Sequence, residues 1–227
     1  MEINPGDKIA IVGYNGAGKT TLVKLLIRLY DVHKGQVLIN DKNIKEYMVK
    51  SLRSRIAFLG QDFKIYSFTV AENILMRPMN GEEDRLIVET ALKSVGLYDK
   101  VMSWPRGIQT YVTCEFDETG EYLSGGEAQK LALARIYAQN YDCIILDEST
   151  SALDPISEDE IIQTIFKIFE NKTIIMISHR LATVKYVEKI YFMSGGKLEE
   201  SGSHIELMES HGEYYTYYST QAEKYKD

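Results

Sequence analysis

The stretch "GYNGAGKTTLVKLL", residues 13–26, places three glycines, a lysine and two threonines at the start of an apolar helical pattern. Five of its residues fit the spacing G-x-x-x-x-G-K-[ST]: Gly13, Gly16, Gly18, Lys19 and Thr20. Directly before it, "KIAIV" (8–12) has the short, β-branched pattern of a buried strand. Strand, glycine loop and helix in this order predict a phosphate-binding loop, and an isolated glycine turn is the weaker alternative.

The loop has the chemistry that a polyphosphate requires. Backbone N–H groups at the start of a helix point toward an anion, and the helix dipole adds to the attraction. We expect Lys19 to reach the β- and γ-phosphates and the Thr20 hydroxyl to bind Mg²⁺. The complete predicted nucleotide-binding set is Gly13, Tyr14, Asn15, Gly16, Ala17, Gly18, Lys19, Thr20 and Thr21.

A second motif, the acidic "IILDE" (144–148), adds the carboxylates that a phosphate-cleaving site requires. Four residues of a buried strand would carry Asp147 to its carboxyl end, the edge at which α/β sheets place their ligands. Asp147 can hold Mg²⁺ through water, and Glu148 can activate the attacking water. A solvated acidic turn is the alternative, but it does not explain the apolar run. Together the two motifs predict nucleotide hydrolysis.

The remaining sequence alternates between strand and helix patterns, which predicts an α/β fold of the P-loop NTPase type. "TIIMIS" (173–178) has the pattern of a buried strand, and "EDEIIQTIFKIF" (158–169) that of the helix before it. This alternation predicts a mainly parallel sheet covered by helices on both faces. Shorter strands are predicted in "GQVLIN" (35–40) and "RIAFLGQ" (55–61), and the tyrosine-rich tail (212–227) is predicted to be helical.

One segment departs from this alternation. Residues 71–140 show helical patterns with no strong strand among them. We therefore predict a single nucleotide-binding domain, 1–227, with a core at about 1–70 and 141–227 and a helical subdomain at about 71–140.

Composition argues against several classes of function. The chain has 227 residues and a formal net charge of −7, which argues against a general nucleic-acid binder. No apolar run approaches the length that crosses a bilayer, and the start "MEINPGDK" (1–8) lacks the pattern of a secretion signal. We therefore expect this chain alone to be soluble.

The segment "LSGGEAQKLALARIYAQ" (123–139) indicates which kind of hydrolase this is. Ser124 and Glu127 fit a capping box, which would by itself explain a helix start. It leaves Gly125 and Gly126 unexplained, since two glycines in a first helical turn are costly. They are understandable if that turn presses its backbone against a ligand.

Over nearly its whole length the sequence resembles the ATP-binding cassette (ABC) family. Six motifs follow in the family's order. "GYNGAGKT" resembles the phosphate loop, "FLGQD" with Gln61 resembles the glutamine loop, and "LSGGE" resembles the signature. "IILDE" resembles the metal strand, "SALD" with Asp154 resembles the aspartate loop, and "ISHR" with His179 contains the switch histidine. "SLRSRIAF", "TVAENIL" and "SHRLATVKYVEKIYFMSGGKLEESGSHIELM" further resemble the nucleotide-binding domains of exporters.

The resemblance implies a head-to-tail dimer in which each ATP lies between one partner's phosphate loop and the other's signature. Ser124 and Gly126 would then contact the γ-phosphate across the interface, within a nucleotide-binding segment made of Ser124, Gly125, Gly126 and Glu127. The implied catalytic residues are Glu148 for the water, His179 for the γ-phosphate, and Gln61, which would link the site to a transmembrane partner. The implied metal ligands are Thr20, Gln61 and Asp147, and Asp154 would communicate between the two sites.

The same resemblance implies a cofactor, partners and a location. Mg²⁺ would be the cofactor and ATP the substrate. A second nucleotide-binding domain and the transmembrane domain of an exporter would be the partners, with no nucleic acid. The domain would work at the cytoplasmic face of the membrane.

Three features depart from the family pattern. None of the twelve residues before Gly13 is aromatic, although family members stack adenine on an aromatic residue upstream, so we expect an incomplete N-terminal antiparallel β subdomain and millimolar-range ATP binding. Glu127 stands where transporters more often have glutamine. The segment "CEFDETGEY" (114–122) is more acidic than the exporter pattern.

Two alternatives to an exporter domain remain at this point. A soluble ABC ATPase acting on ribosomes or chromosomes is favoured by Glu127, whereas "SHRLATV" (178–184) and the negative charge count against it. A regulatory nucleotide binder without hydrolysis would be expected to lack a catalytic carboxylate, and Glu148 is present.

Overall fold

The structure, a computed structural model, describes residues 1–60, 62–147, 155–178, 184 and 186–223, with backbone alone for 155–157. The chain divides into two compact units. The first contains Met1–Phe58, the stretch that begins at Asp142 and the C-terminal part that begins at Asn171. The second contains Leu59–Tyr141 and the stretch that ends at Glu170.

A six-stranded sheet with the order β4-β5-β6-β1-β7-β8 forms the framework of the first unit. Its strands are β1 (Lys8–Gly13), β4 (Ile56–Leu59), β5 (Cys143–Asp147), β6 (Thr173–Ile177), β7 (Lys189–Ser194) and β8 (Lys197–Gly202). Strand β1 pairs in parallel with β6 and β7, and β5 pairs in parallel with β6, whereas β7 and β8 are antiparallel. The predicted mainly parallel sheet is confirmed.

The central strand β1 is buried on both of its faces, which explains its continuous apolar sequence. Ile9 and Ile11 pack in a cluster that includes Val23 of the first helix. Ala10 and Val12 pack on the opposite face, in a cluster with residues of the last helix. The helices of this unit are α1 (Lys19–Leu26), α2 (Val49–Arg53), α8 (His204–Glu209) and α9 (Glu213–Glu223).

A small antiparallel hairpin accompanies this sheet. Its strands, β2 (Leu38–Ile39) and β3 (Lys42–Asn43), are joined by Asn40 and Asp41, both with positive φ, as in the tight turns that suit hairpins. The strand predicted across "GQVLIN" is therefore limited to two residues. In the same unit a cavity of about 630 Å³ is lined by residues that include Leu26, Leu38, Tyr47, Ile145 and Ile175.

The second unit is helical. It contains α3 (Val70–Leu75), α4 (Gly81–Ser94), α5 (Tyr98–Ser103), α6 (Gly125–Ala138) and α7 (Pro155–Ile168). Helices α3, α4 and α6 pack on one another and bury apolar side chains such as Ile74, Leu92 and Leu133. Within 71–140 the described residues contain isolated bridges and no strand, in agreement with the predicted helical character. The domain limits derived from the sequence stay a prediction.

Candidate nucleotide-binding site

The predicted phosphate loop connects β1 to α1, and its first glycine is fixed by a neighbouring strand. Gly13 lies at the end of β1, opposite Met193 of β7. A Cβ atom at Gly13 would lie 2.0 Å from the carbonyl oxygen of Met193, and φ at Gly13 is +148°. No side chain fits in that space, so the packing of the sheet itself requires glycine at this position.

The start of helix α1 has the geometry of an anion site. Gly18, the residue before the helix, has φ +97°, a left-handed conformation that glycine adopts without strain. No side chain in the part of the chain that the structure describes caps this helix end. Because the first N–H groups of a helix lack intrahelical acceptors, an uncapped end presents them to a ligand.

Lys19 extends across the same loop. Its side chain is only 6% exposed, and its Nζ donates hydrogen bonds to the carbonyl oxygens of Gly13 at 2.8 Å and Tyr14 at 3.0 Å. The ammonium group is therefore held inside the curve of the loop. Thr20 and Thr21 are exposed at the start of α1, while Ala17 is buried in the core beneath the loop.

Asp147 is brought to the same edge of the sheet as the loop. It ends β5 and pairs with Ile177 of β6, which in turn pairs with Ile11 of β1, two residues before Gly13. Adjacent strands are about 4.8 Å apart, so β5 and β1 are separated by about 10 Å. Asp147 is 9% exposed. A carboxylate here and the hydroxyl of Thr20 offer the oxygen ligands that Mg²⁺ prefers.

Four predicted functional residues lie outside the described residues: Gln61, Glu148, Asp154 and His179. The structure does place the strands that lead toward two of them. Strands β5 and β6 are parallel neighbours. Strand β5 ends at Asp147, directly before Glu148, and β6 ends at Ile177, two residues before His179.

The signature segment lies in the second unit, where it begins helix α6. Ser124 Oγ accepts a hydrogen bond from the Glu127 N–H at 3.3 Å, and Glu127 Oε2 accepts one from the Ser124 N–H at 2.9 Å. The predicted capping box is thus present. Gly125 is exposed, has no left-handed backbone angle, and would have open space around a Cβ atom. Neither crowding nor backbone strain within the described residues requires glycine there.

A lysine that the sequence analysis did not identify holds the signature carboxylate. Lys100 Nζ, on α5, lies 2.7 Å from both carboxylate oxygens of Glu127. Burial raises the pKa of the Glu127 carboxyl, but hydrogen bonds from Lys100 and Ser124 bring it below its ordinary value. Lys100 and Glu127 are too far apart in the sequence for helical periodicity to have revealed the pair.

An aromatic contact that the sequence analysis also missed supports the phosphate loop. The ring of Tyr14 meets the ring of Tyr217 edge to face at 5.2 Å and that of Phe192 at 6.0 Å. Tyr217 belongs to α9, the helix predicted for the tyrosine-rich tail, and it is buried together with Tyr214. The C-terminal helix is therefore packed against the loop.

Comparison with known proteins is consistent with this geometry. The family model described as "ABC transporter" matches residues 1–151. Multidrug export ATP-binding/permease proteins of Staphylococcus aureus strains NCTC 8325 and COL are each 40% identical to the chain over 222 residues, 97% of its length. The chain spans 37% of the length of these relatives.

A solved structure gives the same picture. A bacterial Atm1-family ABC exporter with ATP bound matches 96% of the chain with a TM-score of 0.81 and 35% identity, and the chain covers 37% of that protein. These relatives are exporters, which favours the exporter interpretation over a soluble ATPase acting on ribosomes or chromosomes. Within the described residues, no helix has both the length and the apolar composition that crossing a bilayer requires.

Proposed function

The chain belongs to the ABC transporter family, and from that premise we propose that it binds and hydrolyses ATP with Mg²⁺ and so drives export through a transmembrane partner. The observation that carries the proposal is the phosphate loop. Helix α1 begins after the left-handed Gly18 with no side-chain cap from the described residues, and the buried ammonium of Lys19 lies inside the curve of the loop. Backbone donors and a cation together suit the β- and γ-phosphates of a nucleotide.

The residues around the loop have distinct proposed roles. Thr20, Gln61 and Asp147 would hold Mg²⁺, which would supply positive charge beside the phosphates. Glu148 activates the attacking water, and His179 donates a hydrogen bond to the γ-phosphate. Asp154 links the two sites of a dimer.

The signature supports a head-to-tail dimer. Among the described residues of its unit, neither packing nor backbone conformation explains the glycine at 125. A surface at a helix N-terminus that includes glycine backbone is suited to close approach by an anion from outside. We assign this surface, Ser124–Glu127, to the γ-phosphate of an ATP that is held by the phosphate loop of a second copy or of a similar domain.

A hydrolysis-dead variant tests the proposal directly. Glu148→Gln removes the base but keeps the shape of the residue, so we expect ATP hydrolysis to fall by roughly 100-fold or more. Because ATP then persists, the variant should form dimers with ATP and Mg²⁺ that are visible by analytical ultracentrifugation, and monomers with ADP. Full hydrolysis by Glu148→Gln would exclude the role of Glu148, and persistent monomers with ATP would exclude the shared site.

A further inference from the structure

We propose that Lys100 is a positioning residue that neutralises Glu127, so that the start of α6 stays attractive to the γ-phosphate presented by a second copy. The inference rests on the proposed function, since it concerns the surface that would meet that phosphate. It assigns a role to a lysine on a different helix, α5, and explains how this chain functions with a carboxylate in its signature.

The geometry ties the two side chains to one another. Lys100 Nζ is 2.7 Å from each oxygen of Glu127, so the ammonium lies between them. Oε2 also accepts the Ser124 N–H at 2.9 Å, which fixes the carboxylate at the helix start. The lysine is held in place because Leu97 and Val101, on either side of it in the sequence, are buried.

Charge gives the pair a consequence for binding. Glu127 is the third residue of α6, and an unpaired carboxylate in the first turn would offset the positive end of the helix dipole. It would also repel the γ-phosphate. Because it is paired with Lys100, Glu127 adds no net charge. In this respect the pair is equivalent to an uncharged glutamine at position 127. Lys100 and Glu127 together therefore provide a neutral signature that retains a capping carboxylate.

A purely structural role accounts less well for the lysine. The capping box already joins Ser124 and Glu127 by two hydrogen bonds. The side chains of Lys100 and Glu127 are 39% and 26% exposed, and ion pairs of this kind add little to folding stability. A change in the electrostatic field at the ligand surface remains the larger effect.

The test is the dependence of steady-state ATP hydrolysis on ATP concentration. Lys100→Met leaves Glu127 uncompensated, and we expect KM to rise by about fivefold, and more at low salt because ions screen the repulsion. Glu127→Gln leaves Lys100 as an unpaired cation and should lower KM. The double variant is neutral again and should fall between the two single variants. Lys100→Arg keeps the charge and should remain close to the original protein.

Lys93→Met is the matched control, because it removes one lysine charge from the same unit without touching the signature. If Lys100→Met and Glu127→Gln both raise KM, or if the effect of Lys100→Met is insensitive to salt, the pair is only a structural link and the inference is wrong. Ser124→Arg distinguishes failure of the Lys100 inference from failure of the proposed function. If the signature contacts ATP, this variant should abolish ATP hydrolysis. Unchanged turnover in Ser124→Arg would refute the shared site itself.

Discussion

Two helix N-termini in this chain are built in opposite ways. Helix α1 begins after the left-handed Gly18 with no side-chain cap from the residues that the structure describes, and the Lys19 ammonium lies across the loop before it. Helix α6 begins after Ser124, which forms a complete capping box with Glu127, and the Glu127 carboxylate is paired with Lys100. The first arrangement leaves its backbone N–H groups available to a ligand, whereas the second satisfies two such groups, the Ser124 and Glu127 N–H, within the chain.

The difference bears on how the proposed shared site would be divided between two chains. An uncapped end with a cation is suited to hold a polyphosphate tightly, because its N–H groups lack intrahelical acceptors and can donate to an anion. A capped end is stable without ligand and offers only the N–H groups of its two glycines and the serine hydroxyl. We infer that α1 provides most of the affinity for ATP and that α6 senses the γ-phosphate.

The largest expected effect concerns the uncapped end. Lys19→Ala removes the buried cation, and we expect ATP affinity to fall roughly 100-fold, since deleting one partner of a buried charge pair costs about 3 kcal/mol. Isothermal titration calorimetry should detect ATP binding to the original protein and none to Lys19→Ala. Lys24→Ala, in the last turn of the same helix, is the control and should keep its affinity. Equal affinities in the two variants would contradict the role given to Lys19.

The second effect concerns the capped end. Ser124→Ala removes an N-cap, which should lower the free energy of unfolding by about 1 kcal/mol. It also removes a proposed γ-phosphate contact, so ATP turnover should fall while ATP binding to the monomer persists. Ser203→Ala is the matched control, because Ser203 caps α8 through the same kind of box with Glu206. Denaturant unfolding and hydrolysis assays should separate the two variants, and equal turnover would show that Ser124 is only a cap.

The smallest effect concerns the aromatic support of the uncapped end. Tyr217→Ala removes the ring that contacts Tyr14, and we expect ATP affinity, measured by calorimetry, to fall by about fivefold, as edge-to-face pairs contribute roughly 1 kcal/mol. Tyr217→Phe keeps the ring and should bind ATP like the original protein. If both variants bind equally well, the C-terminal helix does not support the loop.

Sequence alone predicted the features that depend on neighbours along the chain. Strand β1, the glycine loop and α1 follow one another directly, and the capping box joins residues three apart, so local spacing was sufficient for both. Pairs such as Lys100 with Glu127 and Tyr14 with Tyr217 are formed by tertiary packing, which has no period in the sequence. The "GQVLIN" strand was overestimated for the same reason. Apolar residues favoured an extended segment, but only two of them find a partner in β3.

The close contact between Gly13 and the Met193 carbonyl has a consequence for how related sequences are interpreted. A descendant that had lost ATP hydrolysis would be free to accumulate changes at Lys19, but any side chain at position 13 would still disrupt the pairing of β1 with β7. The first glycine of the motif is therefore retained under selection for folding alone. Among inactive paralogues, its presence reports an intact sheet and says nothing about surviving enzymatic activity.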